Sequence, residues 1–263
     1  MTNARAVTAA TLLIAFSLAL SRAAWGNSIA GAGASDFSGL QFNILSADGK
    51  QTIGATRFTV LRNNSTEEIK GDTRYLDGER DSEDVRLDVE DTRSTLKLDT
   101  YEHSFFKADG TLQMVDTLNA KSGVASCTSY TSGKTKVRKA RLDVPADSYA
   151  GASGLLMMVT NLRHGSHEIR FHAFACAPGP EIFSVKASLP DHSEHWPFYS
   201  GNLFRIDMRP DLGALNLLIA PFLPTMDAWF SPADNWSYVG GEFDRYFRGP
   251  HVLTVRVPVP PSN

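Results

Sequence analysis

Over residues 37–141 the chain reverses about every ten residues, and between reversals its apolar side chains fall at every second position. Asp48-Gly49, Asn63-Asn64, Asp77-Gly78, Asp109-Gly110, Ser122-Gly123 and Ser132-Gly133 mark the reversals. Such pairs tolerate positive φ or close a tight turn through a short polar side chain. Val85, Leu87 and Val89 alternate with Asp84, Arg86, Asp88 and Glu90, Leu96 and Leu98 with Lys97 and Asp99, and Leu112 and Met114 flank Gln113. A period of two sends successive side chains to opposite faces of a strand, one buried and one wet. Connections this short join antiparallel neighbours, because a parallel crossover needs a dozen residues or more. The stretch predicts six to eight strands in meander order. The fold class expected is mainly β, an antiparallel meander forming a curved sheet or open barrel.

One segment breaks the pattern. After Pro145, Asp147 or Ser148 is placed to cap a helix over residues 149–164, with Gly165 as its stop. Leu155, Met158, Val159 and Leu162 recur at spacings of three and four, which predicts one principal helix packed on the concave side of the sheet. Gly151 and Gly154 each cost such a helix about 1 kcal/mol relative to Ala, a cost that close approach to the sheet would explain. Strands then resume over residues 167–174, 181–187 and 203–209. An apolar run over 215–223 precedes further strands over 225–230, 236–247 and 252–257.

The N-terminus sets the compartment. Arg5 precedes an apolar run over residues 6–20, and Ala24-Trp25-Gly26 offers small residues on either side of a bulky one. That is the pattern of a secretory signal over 1–26, with an apolar part too short to span a bilayer. Residues 27–36, with Gly31-Ala32-Gly33-Ala34, read as a flexible leader, and 37–258 as a single β-rich domain. A periplasmic or secreted protein without an integral span after processing is expected. Processing removes Arg5 and Arg22 but no acid, so the formal charge of −3 becomes −5. Mild acidity argues against nucleic acid as a partner. The basic run Lys134, Lys136, Arg138, Lys139 and Arg141 suits a solvated edge strand that discourages pairing with other chains. Cys127 and Cys176 are the only cysteines. In an oxidising compartment they form one disulfide, whose long loop is worth about 4–5 kcal/mol in the chain-entropy model.

No catalytic signature emerges. His164, His167, His172, His192 and His195 crowd within 32 positions. Gly165 ends the helix before two of them can share a face, and no third ligand is fixed, so neither metal nor cofactor is expected. Gly151-Ala152-Ser153-Gly154 misses the spacing of a nucleophile elbow by one residue. Along 236–247, one strand face reads Trp236, Tyr238, Glu242, Asp244 and Tyr246, and the other Val239, Phe243 and Phe247, interrupted by Arg245. Acids beside aromatics are what a sugar cleft uses, so Glu242, Asp244 and Tyr246 are the candidate catalytic set of an alternative reading.

Leu45-Ser46-Ala47-Asp48-Gly49, Tyr75-Leu76-Asp77-Gly78-Glu79, the helix start from Asp147 to Ser153 and Gly240-Gly241-Glu242-Phe243-Asp244 follow a signal-type leader. In this layout the chain resembles exported bacterial proteins of unknown function built on a lipocalin-like or lipoprotein-carrier-like sheet. The resemblance implies a sheet wrapped partly round a helix, with an apolar concavity for a lipid or other hydrophobic ligand. A curved sheet with one helix must fill its concave side or leave a cavity. The leading expectation is therefore a non-enzymatic carrier of an apolar or amphipathic small molecule. Leu155, Met157, Met158, Leu162, Phe222 and Trp229 are the expected lining, methionines adapting to irregular ligands. A carbohydrate hydrolase or lyase and an envelope scaffold without ligand are the alternatives.

Overall fold

The computed structural model describes residues 38–63, 65–90, 95–131, 133–176, 179–211, 226–245 and 249–257. The signal segment, the leader and the 215–223 run lie outside them. Eight strands fill the first half: β1 Gln41–Ser46, β2 Thr52–Arg62, β3 Thr66–Tyr75, β4 Arg80–Glu90, β5 Thr95–Phe106, β6 Leu112–Asn119, β7 Val124–Thr131 and β8 Lys134–Arg141. Each pairs antiparallel with the next. The aspartates of the Asp-Gly turns close them. Asp48, Asp77 and Asp109 each accept a hydrogen bond from the backbone N–H two residues on, a local geometry that leaves the following glycine or its neighbour free to reverse the chain.

After β9 Ser148–Tyr149 and helix α1 Ala152–Arg163 come β10 Glu168–Cys176, β11 Pro180–Ser188, β12 Phe204–Pro210, β13 Met226–Ser231, β14 Ser237–Asp244 and β15 His251–Arg256. The sheet order runs β8 back to β1, then β15 back to β9. The first and last strands therefore pair at the centre, while β8 and β9, consecutive in the chain, are the two edges. The result is a large curved open sheet that does not close into a barrel. The edges come together without a hydrogen-bonded ladder: β10 lies against β6, and β11 against β7 and β8. Alternate residues of β10 face opposite ways. Ile169, Phe171 and Phe174 all belong to the core cluster that includes Leu156 and Val159, and Phe174, at the other parity, meets Tyr101 of β5 with ring centroids 5.7 Å apart. Cys176 bonds Cys127 of β7 with their Cα atoms 5.8 Å apart, inside the range a disulfide permits. The expected bridge thus staples the seam.

Helix α1 is the one α-helix among the described residues, and it is buried on nearly every side. Its two interior polar residues are satisfied within the helix: Thr160 Oγ1 donates to the Leu156 carbonyl and Asn161 Nδ2 to the Met157 carbonyl, each at 3.0 Å. Gly165, at φ 77, ends it as expected, with Gly165 N–H bonded to Leu162 O and Ser166 N–H to Asn161 O. The start differs from expectation. Ser148 and Tyr149 form β9, and Asp147 is engaged by the His172 ring at 2.8 Å. Glu83 of β4 instead accepts the Ala152 N–H at 3.0 Å, a charge-assisted cap from a distant strand. Gly151 sits at φ 50, and a Cβ there would overlap the Glu83 carboxylate, so this glycine serves close approach. A Cβ on Gly154 would meet open space, and packing does not explain that residue. No helix among the described residues is long and apolar enough to cross a membrane.

Candidate functional site

A partly open cavity of about 390 Å³ lies at the seam. Tyr101, Phe105, Met114 and Phe174 give it apolar walls, and Lys136 and Arg138 of the edge strand also line it. A second cavity of about 140 Å³ lies deeper, between the sheet and the first turn of α1, against Phe42, Phe58, Leu155 and Phe243. His103 and Arg245 line both, so a polar partition stands between two apolar spaces.

Strand parity places the partition. Continuing the Val85, Leu87 alternation backwards along β4 puts Asp81 and Glu83 on the buried face. On β5 a bulge leaves Asp99 unpaired between Thr100↔Arg86 and Leu98↔Leu87. The inward set therefore switches from Leu96 and Leu98 to Tyr101, His103 and Phe105. His103 Nε2 lies 3.3 Å from Asp81 Oδ1 and its ring 4.1 Å from that of Phe105. Burial alone would lower the His103 pKa, but the Asp81 hydrogen bond and the Glu83, Asp81 and Asp116 charges raise it overall. Burial pushes the Asp116 carboxyl up to about 6, with His103 pulling it back, and raises Glu83 against His103 and the helix N–H.

Arg245 is anchored without being saturated. Its guanidinium stacks on the Tyr75 ring, 3.4 Å from the centroid, and Nη1 donates to Glu79 Oε2 at 2.7 Å. Its side chain is only 9% exposed, yet Nε finds no partner among the described residues, and neither does Asp116 Oδ1. A buried polar atom left unmatched costs about 1–3 kcal/mol. Asp116 and Arg245 both line the large cavity, with one unmatched donor and one unmatched acceptor just behind its aromatic walls.

Of the expected lining residues, Leu155 reaches the deeper cavity. Met157, Met158 and Leu162 are 3%, 1% and 2% exposed in the core around α1. Trp229 stacks on Trp196 in a separate cluster with Leu203 and Val239. Phe222 and Tyr246 lie outside the described residues. The space sits at the seam because α1 fills the ground in front of it. Glu242 and Asp244 face His251, Nδ1 of which lies 3.3 Å from Asp244 Oδ1. The structure separates them from Tyr238, because Val239 bulges between Gly240↔Trp229 and Tyr238↔Phe230. Tyr238 then turns into the core and, beyond the bulge, Phe243 and Arg245 turn inward. The interruption that Arg245 makes in an apolar face was the sequence signal for the site. His103, Asp81 and Asp116 carried a similar one, as polar residues on inward positions, but the bulge at Asp99 hides the parity of His103. Asp116 and the two bonded sulfurs form a compact group; a disulfide sulfur lacks the thiolate charge a metal ligand needs.

No protein-family model matches the sequence, and no curated protein matches it. Among solved structures it is similar to a β-barrel-like protein of a domain of unknown function (DUF1849) from Brucella abortus. The identity is 9%, the TM-score 0.43, and the match covers 84% of this chain and 96% of that one.

Proposed function

We propose that the protein is an exported, non-enzymatic carrier for a small amphipathic molecule, held in the seam cavity in the manner of a lipocalin-like protein. The observation that carries this reading is the pairing of aromatic walls with two unmatched buried polar atoms, Arg245 Nε and Asp116 Oδ1. A ligand with an apolar body and a hydroxyl, carboxyl or amide head would cover the first and, with a small turn of either side chain into the cavity, satisfy the second. Apolar burial contributes about 25 cal/mol per Å², and each matched polar atom removes a desolvation penalty. The volume falls within the range of small-molecule sites. The deeper cavity, reached past His103 and Arg245, would take the end of a longer chain.

Titration with a fluorescent fatty-acid analogue tests the proposal. Saturable binding at micromolar concentrations, competed by an unlabelled long-chain acid or alcohol, is expected. A fluorescence response that is absent, or that no competitor reverses, contradicts it.

A further inference from the structure

The outer face of the β6–β8 edge carries a feature that the carrier reading does not use. Cys127 faces the seam and Ala125 is fully buried, so Val124, Ser126, Thr128 and Tyr130 of β7 point outward. The register sets Arg141, Lys139, Val137 and Thr135 of β8 beside them. Val124, Tyr130 and Val137 are 52%, 36% and 47% exposed, and they make up half of the exposed large hydrophobic residues among those described. Single exposed apolar residues need no explanation; Tyr130 and Val137 are diagonal neighbours across the hairpin, with Val124 farther along the same face beyond the Ser126–Lys139 pair.

Charge separates this patch from the rest of the surface. The chain is net acidic, yet the three strands hold a single carboxylate, Asp116, and that one lines the seam cavity. Lys139 and Arg141 share the outer face with the apolar residues, while Lys134 and Lys136 flank it on the same strand. None of these four makes an ion pair among the described residues. Protecting a sheet edge from other strands explains one or two lysines. It does not explain an acid-free face that presents Tyr and Val at its centre.

We infer that this face docks on a membrane rich in anionic phospholipid. Cations attracted to the headgroups hold the strand at the surface, and Tyr130, with its apolar ring and polar hydroxyl, suits the interface between headgroup and chain. Val137 would enter beside it and Val124 farther along the strand. Vesicle binding needs no cavity, so the inference stands apart from the carrier reading.

The test is flotation of the full-length mature protein with vesicles of phosphatidylglycerol and phosphatidylcholine, against vesicles of phosphatidylcholine alone. The anionic vesicles should carry the protein at low salt and lose it as salt rises. Lys139→Ser and Arg141→Ser should each weaken binding about fivefold, and Tyr130→Ser with Val137→Ser should weaken it severalfold at unchanged salt dependence. All four positions are exposed or on the outer face, and unchanged circular dichroism confirms that each variant folds. No association with anionic vesicles overturns the inference. So does equal binding by the variants, retention on a DNA duplex without vesicle binding, or self-association through β8 that vesicles do not disturb.

Discussion

Asp116 is where a single carboxyl couples the cavity to pH. Its folded pKa, about 6, lies above its ordinary value of 3.8 because burial disfavours the charge. The folded state therefore holds the proton more tightly than the unfolded chain, and stability falls as pH rises from about 4 through 6. His103 acts in the same direction. Its raised pKa gives stability that is complete below the unfolded value and lost as pH rises through the folded one. Asp116→Asn removes the carboxyl part, worth about 1–2 kcal/mol at pH 8 after allowing for solvent at the cavity mouth. Its melting temperature should exceed that of the parent by several degrees at pH 8 and converge with it near pH 4. Calorimetry across that range checks the sign. Equal melting temperatures at pH 8 would mean that Asp116 is solvated. The sequence places Asp116 inward, as the next member of the Leu112, Met114 alternation, but only the seam makes the position costly.

At the scale of elements, strands and turns were the most legible. Asp-Gly pairs and period-two alternation are local signals, and eight strands stand where six to eight were expected. The helix was legible in its body and its glycine stop but not in its start, since the cap comes from Glu83, 69 positions earlier. Face assignments held until a bulge intervened. Each extra residue flips all later side chains, so Tyr238 parted from Glu242 and Asp244, and the bulge at Asp99 turned His103 inward against the parity of Leu96 and Leu98. The expected helix face is deeply buried at Met158, Val159 and Leu162. Leu162→Ala should therefore cost about 2–5 kcal/mol, through lost burial and a residual cavity. Chemical denaturation measures this directly, and a loss under about 0.5 kcal/mol would contradict the packing. Met158→Trp would overpack the same core instead of filling ligand space. The substitution that fills the cavity is at Met114.

For the whole molecule, the seam is what matters. Among the described residues fifteen strands form one sheet whose ends meet without a ladder, and the Cys127–Cys176 bond joins them across 49 positions of chain. The pairing was legible from two cysteines in a chain expected to be exported; that it would clasp the two ends of the sheet was not, because strand order is a long-range property. Reduction, or Cys127→Ser with Cys176→Ser, should cost up to about 4 kcal/mol. That lowers the melting temperature by about 10 °C with the β circular-dichroism spectrum retained. An unchanged melting temperature would show that packing alone holds the seam.

The carrier reading stands or falls on occupancy of the seam cavity. Native mass spectrometry of the protein as purified, compared with Met114→Trp, addresses it most directly. The account predicts small amphipathic adducts on the parent protein, stripped by organic solvent, and their loss from Met114→Trp with the fold intact. A parent protein that stays at its bare mass even after incubation with long-chain acids, or adducts that persist equally on Met114→Trp, would contradict it.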